Sequence, residues 1–406
     1  MSEERATPLA RPFEEGSRAA TAASPAERTA AAALASARRL VVKIGSSLLV
    51  AERGEIRRFW LEALAQDVAR CRARGQEMTL VSSGAIAIGR RHLGLVGRRL
   101  RLEEKQAAAA TGQIRLAHAY QEALARHNIT VAQILLTPED TEERRRHLNA
   151  RATFGELLSL GAVPVVNEND TIATAEIRFG DNDRLAARVA QMTSADMLVL
   201  LSDIDGLYTA DPRRDAGARH LPLVREISAE IEAMAGAAAP GYSSGGMVTK
   251  LAAARIATAA GCRMVIAEGN PKGAESRPLA AIEGGARATL FLPQSEPFSA
   301  RKAWIAGALN PSGTLVVDDG ALLALRRGKS LLPAGVVAIE GSFERGDAVI
   351  VKTLSGAEAG RGLSAYSSRD ICRIAGHKSS EIAAILGYRG RDEIIHRDDL
   401  VVTERT

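Results

Sequence analysis

Cysteine is scarce in this 406-residue chain: there are three, Cys71, Cys262 and Cys372, far apart in sequence. They offer neither a disulfide framework nor a paired zinc motif, and the chain reads as one from a reducing compartment. Aromatic residues make up only 3%, too few for base stacking to be the main business. No apolar run approaches the length of a membrane span, so no membrane partner is expected. The familiar nucleotide signatures are missing too. No GxGxxG follows the first strand, and Gly328-Lys329-Ser330 copies only the end of a phosphate loop, because Leu323 stands where its first glycine belongs. The seven histidines are scattered. Neither a Ser-His-Asp nor a Cys-His set emerges.

What the chain does have is a globular composition, 46% hydrophobic and 25% charged, and a length that calls for two or three folding units. A formal charge of +5 is compatible with an anionic substrate or with nucleic acid and selects neither. Residues 1–37 are rich in Ala, Arg, Ser and Thr, as transit peptides are. Five glutamates against four arginines, with no continuous apolar stretch, argue against targeting. A disordered extension is expected there.

Hydrophobic periodicity sets strands and helices in alternation. Arg39–Ile44 reads as the first strand and runs into Gly45-Ser46-Ser47. A helical stretch from Arg57 to Arg74 puts Leu61, Leu64, Ala65 and Val68 on one face. Met78–Val81, Val131–Leu136, Val163–Val166, Met197–Leu201 and Met264–Ala267 read as further strands. Helices are expected over Glu103–His127, Asp140–Leu160, Arg184–Met192 and from about Gly246. Such alternation implies an α/β fold, a three-layer αβα sandwich around a mainly parallel sheet. Ligands then belong at the carboxyl ends of the strands. The polar, glycine-rich turns at 45–47, 82–84, 167–170 and 202–206 all follow strand ends, and their agreement outweighs any one of them. After about Pro297 the pattern changes. Short runs at Thr314–Val317, Val336–Glu340 and Ala348–Val351, with a brief helix near Asp370–Ala375, predict a small β-rich domain over 313–400 behind a linker at 297–312.

Two lysines and two acid–amide clusters carry the chemistry. Lys43 ends the first strand, and Lys250 follows Ser244-Gly245-Gly246-Met247-Val248-Thr249 at a helix start. Either lysine alone is an ordinary surface residue. Together, beside glycine-rich turns and a helix N-terminus, they point to phosphate. The lack of an obvious base favours a carboxylate nucleophile, which is ionised at neutral pH and needs no deprotonation. Catalysis is then positioning plus charge neutralisation by lysines, Mg2+ and glycine N–H groups. The stretch NENDTIATAEIRFGDND (167–183) sets Asn167, Glu168, Asn169 and Asp170 on one side of a threonine-rich segment and Asp181, Asn182 and Asp183 on the other. The segment between is expected to be a projecting hairpin. Each acid alone is equally well a turn or cap residue; the whole cluster is not.

VVKIGSS (41–47), VSSGAIAIGR (81–90), LNAR (148–151), VPVVNENDTIATAEIRFGDND (163–183), DGLYTADPR (205–213) and GGMVTK (245–250) resemble the amino-acid kinase family, the glutamate 5-kinases in particular. RRGKSLLPAGV (326–336), RIAGHKSSEIAAILGY (373–388) and HRDD (396–399) look like that family's C-terminal PUA domain. The likeness runs from about Arg39 to Thr406. It implies an amino-acid kinase domain over 38–296 and ATP-dependent phosphorylation of the γ-carboxylate of L-glutamate. That is the first step of proline biosynthesis, with proline as a feedback inhibitor. By position, Lys43 and Lys250 neutralise the transferring phosphoryl group and Asp183 orients them. Ser83, Gly84, Asp170 and Asn182 hold glutamate, with Asn167 and Asp181 as neighbours. Lys43, Ser202, Asp203 and the run Ser244, Gly245, Gly246, Met247, Val248, Thr249, Lys250 form the ATP site. The family usually has Thr where Ser202 and Ser244 stand, and both keep the hydroxyl. A homo-oligomer, dimer or tetramer, and a cytoplasmic location are expected; no Mg2+ ligand is assigned.

The residues agree with that substrate. Free glutamate carries an α-ammonium, and a buried ammonium wants a carboxylate, which Asp170 or Asp181 supplies. An N-acylated substrate would not need that charge, and a nucleoside monophosphate would call for arginines. Two other readings stay open: another amino-acid kinase, of the acetylglutamate kinase or aspartokinase type, and RNA binding through the PUA-like region. Residues 300–406 hold 15 Lys and Arg against 13 Asp and Glu, a weak footprint for RNA. RNA therefore ranks below regulatory or structural use of that region.

Overall fold

The computed structural model describes residues 29–172, 182–235, 246–271, 277–293 and 311–403. β1 (Arg39–Ile44) is buried at every position after the first and β5 (Met197–Ser202) throughout. Strands apolar on both faces have to lie in the middle of a covered sheet, and these two are neighbours there. With β2 (Glu77–Ser82), β3 (Val131–Leu136), β4 (Val163–Glu168), β8 (Leu223–Val224), β9 (Arg263–Glu268) and β10 (Ala288–Phe291) they form one sheet. Its order is β3-β4-β2-β1-β5-β9-β10-β8. The run from β3 to β9 is parallel, and β10 turns antiparallel to β9. β6 (Leu207–Tyr208) and β7 (His220–Leu221) pair by themselves.

Side chains alternate along each strand, so β1 serves two layers. Leu40, Val42 and Ile44 pack on the side of the helices Arg58–Ala73 and Leu102–Ala125. Val41 packs on the side of Asn182–Thr193 and Met247–Ala259. By the same alternation Lys43 joins Val41's side. An apolar side chain there would contribute about 1.5–3 kcal/mol by burial. A lysine only 8% exposed at that place serves something other than the core.

The structure corrects the sequence reading in two helical segments. Residues 30–36 of the expected disordered extension form a helix, Ala30–Ser36, capped by Thr29 and seated on the core through Ala33 and Leu34; residues 1–28 lie outside the described residues. The single helix expected over Asp140–Leu160 is two, Pro138–Glu142 and Arg144–Ser159. Glu143 turns extended and its carboxylate accepts from the Arg145 and Arg146 N–H groups, capping the second helix.

A second sheet holds β11 (Gly313–Val317), β12 (Val336–Gly341), β13 (Ala348–Thr353), β14 (Glu358–Leu363) and β15 (Leu400–Val402), in the order β12-β11-β13-β14-β15. Its own core includes Leu315, Val349, Val351, Ile371 and Ile395. Gly328-Lys329-Ser330 ends the helix Asp319–Arg326: Gly328 has φ of +73°, and the Gly328 and Lys329 N–H groups return to the carbonyls of Leu325 and Ala324. That is a helix stop. The helix Arg144–Ser159 meets the second unit where Arg151 pairs with Asp399 and Gly346 lies against Leu148. Most of the expected linker at 297–312 is outside the described residues. Among the described residues no helix is long and apolar enough to cross a membrane.

Candidate active site at the carboxyl edge of the sheet

The strands β4, β2, β1 and β5 are consecutive in the sheet and parallel, so their carboxyl ends line up along one edge. Each releases one of the polar turns: Asn167–Asp170, Ser82–Gly84, Lys43–Gly45 and Ser202-Asp203. The helix Asn182–Thr193 starts against this edge. Neighbouring residues on a helix diverge by roughly 100°, and its first two do so to different partners. Asn182 turns to β2 and β4; Asp183 turns to β1.

On the first side the Asn182 Nδ2 shares its two hydrogens among the Ser82 carbonyl (2.9 Å), Ser83 Oγ (2.8 Å) and Asn167 Oδ1 (3.1 Å). Asn167 Nδ2 in turn donates to Gln113 Oε1 at 2.7 Å. Among the described residues the buried Asn182 Oδ1 has no hydrogen-bond partner. Asp170 is buried nearby in sequence, and burial together with the Glu168 carboxylate pushes its pKa up to about 7. Gly84 opens the helix Ala85–His92 at φ +108°, where a Cβ would stand 2.8 Å from Val50 Cγ2. Only glycine suits that turn. Asn169 bonds within its own turn, its Oδ1 accepting from the Thr171 hydroxyl.

On the second side one carboxylate holds both lysines. Lys43 Nζ lies 2.7 Å from Asp183 Oδ1 and Lys250 Nζ 3.4 Å from Oδ2, which also accepts from Thr249 Oγ1 at 2.9 Å. Burial alone would raise the Asp183 pKa. The Lys43 and Lys250 charges, with hydrogen bonds from Lys43 and Thr249, outweigh it and hold the carboxyl below its ordinary range. Two ammonium groups gathered on one carboxylate suit an anionic visitor.

Toward β5 the Ser202 hydroxyl donates to Asp203 Oδ1 at 3.0 Å. Gly246 caps the helix Met247–Ala259, so Met247, Val248, Thr249 and Lys250 make its first turn. The expected nest at Gly45 is reduced, because its N–H bonds the Leu201 carbonyl. Asp205 and Tyr208 of DGLYTADPR hold their own loop: Tyr208 donates to Asp205 and accepts from Arg287. Asp181, Ser244, Gly245 and most of the expected hairpin lie outside the described residues.

The sequence reading missed Gln113 and Tyr120, whose hydroxyl bonds Ser82 Oγ at 2.9 Å. A signal was present. Gln113 stands three and seven residues before buried Leu116 and Tyr120, a polar residue on the apolar stripe of a long helix.

Comparison with known proteins accords with this geometry. Residues 38–268 match the amino acid kinase family and residues 313–386 the PUA domain. The glutamate 5-kinase of Paramagnetospirillum magneticum is 66% identical over 370 residues, 91% of this chain and 99% of that protein. Glutamate 5-kinase 1 of Rhizobium meliloti is 60% identical over 371 residues, 91% and 93% of the two chains. The glutamate 5-kinase of Gluconobacter oxydans is 58% identical over 370 residues, 91% and 97%. With so much identity over nearly the full length of both partners in each pair, this chain belongs to the amino acid kinase family, in its glutamate 5-kinase group.

Proposed function

We propose that the protein transfers the γ-phosphoryl group of ATP to the side-chain carboxylate of L-glutamate, giving L-glutamyl 5-phosphate. The observation that carries this reading is the junction at Asn182 and Asp183. One residue belongs to the amide cluster at β2 and β4, the next to the two-lysine cluster at β1, an arrangement that suits an amino acid and a phosphate bound end to end. The α-ammonium of glutamate lies against Asp170 and the Asn182 carbonyl oxygen, with Ser83, Gly84 and Asn167 completing the grip. Asp181 is placed there as well by its position in the sequence.

The γ-carboxylate then points toward β1. It is already ionised, so no base is required; the barrier is repulsion between two anions. Lys43 and Lys250 offset that repulsion, and Asp183 keeps both ammonium groups aimed inward. ATP extends from the lysines toward Ser202, Asp203 and the 244–250 segment. Mg2+ would enter with the nucleotide as Mg–ATP. There it neutralises phosphate charge.

We place the catalytic domain at 38–296, the linker at 297–312 and the PUA domain at 313–400. Proline, which also carries a positive α-nitrogen (a ring ammonium) beside an α-carboxylate, competes at the acid–amide pocket. A homo-oligomer in the cytoplasm completes the reading, and RNA binding ranks below a regulatory use of the PUA domain. Hydroxylamine traps acyl phosphates as hydroxamates, which gives a direct assay. With ATP and Mg2+, glutamate is expected to yield the hydroxamate while N-acetylglutamate and aspartate do not. Activity confined to either of the latter two refutes the reading.

A further inference from the structure

We propose that Gln113 is a positioning residue of the amino-acid pocket: its side-chain oxygen sets the orientation of the Asn167 amide and thereby aims the Asn182 carbonyl oxygen at the substrate's ammonium group. The proposal rests on the reading of that pocket as the glutamate site.

The polarity of the chain of amides is anchored at an atom that cannot be reversed. The Ser82 main-chain carbonyl only accepts, so Asn182 must offer it the NH2 group, at 2.9 Å. The same nitrogen faces Asn167 at 3.1 Å, so Asn167 must present its oxygen there. The NH2 of Asn167 is therefore turned away, to a place where only an acceptor serves. Gln113 Oε1 fills it at 2.7 Å. At the other end the Asn182 oxygen is buried and finds no donor among the described residues. A buried acceptor of this kind is costly until a ligand N–H reaches it. All three amides are at most 9% exposed, so water is a poor substitute for Gln113.

Gln113 comes from the helix Leu102–Ala125, whereas Ser82 and Asn167 sit at strand ends and Asn182 opens a different helix. The helix thus acts on the pocket through one hydrogen bond. Removing the acceptor leaves the Asn167 NH2 buried and unpaired. The amide is then free to turn over and set nitrogen against the Asn182 nitrogen. That removes one of the acceptors that hold the Asn182 amide and loosens the aim of its oxygen, while Ser82 still keeps its polarity.

The test is a double-mutant cycle read in steady-state kinetics. Gln113→Met keeps length and removes the acceptor; it is expected to raise the glutamate KM about tenfold, worth about 1.4 kcal/mol, with kcat and the ATP KM kept. Asn167→Ala is expected to raise the glutamate KM as well, and the double variant to be no worse than Asn167→Ala alone. Gln113→Glu retains an acceptor oxygen whether ionised or protonated and is expected to restore the KM. If Gln113→Met does not fold, Gln113→Ala is read in the same way. The proposal is overturned if Asn167→Ala raises KM while the Gln113 variant does not, if the two effects add in full, or if Gln113→Glu does no better than Gln113→Met. An unchanged KM in Asn167→Ala overturns the glutamate-site reading, and the proposal with it.

Discussion

Two lysines sharing one buried carboxylate make Asp183 the hinge between the pockets. Charge on Lys250 matters most when the phosphoryl group is in transit. Lys250→Ala is therefore expected to lower kcat by about 10²–10³ with the glutamate KM nearly unchanged, as judged by steady-state kinetics. Asp170 makes a pH prediction. Its empty-site pKa is about 7, raised by burial and by Glu168. An ammonium ligand selects the ionised form and draws that pKa down, so binding releases a proton. The glutamate KM should fall as pH rises toward about 7 and level off above it. Asp170→Asn should weaken glutamate, flatten the profile and leave ATP affinity intact. Lys43 was legible because a lysine inside VVKI interrupts an apolar strand, and the acid–amide clusters because neither core nor helix favours them. Gln113 was marked only as a polar residue on the apolar stripe of its helix; its pairing with Asn167, 54 residues away, has no local signal.

At the scale of elements, the pocket depends on two helices in close contact. A Cβ on Gly89 would stand 1.8 Å from the Ala108 carbonyl oxygen, and one on Gly112 the same distance from that of Ala85. The helices Ala85–His92 and Leu102–Ala125 thus touch backbone to backbone, one starting at Gly84 and the other carrying Gln113. Gly112→Ala should cost about 1–3 kcal/mol in denaturant unfolding and raise the glutamate KM with it. Gly155, in the helix Arg144–Ser159, has open space around it; Gly155→Ala should be neutral or stabilising by about 0.4–1 kcal/mol. Periodicity located most of the strands and helices of the large sheet within a residue or two. It failed at Glu143, because a helix-forming residue there uses its carboxylate as a cap. It failed again at β14, where Gly360 and Gly362 admit the Val401 carbonyl and Ile395 side chain at close range. Such a strand is specified by its neighbours and has no alternation of its own.

For the whole molecule, alternation along the chain revealed a covered parallel sheet and a separate β-rich region, but not the strand order, which crossovers decide and local sequence does not encode. The joint between the two sheets was also invisible. Arg151 and Asp399 are 248 residues apart, and their pairing ties the helix leading into β4 to the PUA sheet. Asp399→Ala leaves a partly buried guanidinium without its carboxylate and should lower stability by about 3 kcal/mol. Because neither residue belongs to the pockets, kcat and both KM values should hold; a denaturation curve beside the kinetic assay checks both halves of that statement.

The central claim is that the acid–amide pocket recognises the free ammonium group of an amino acid. Glutarate is glutamate without that group and keeps both carboxylates. Calorimetric titration of the protein with each should show glutarate binding weaker by on the order of a hundredfold, the range expected for a lost charged hydrogen bond. Glutarate binding as tightly as glutamate would contradict the account.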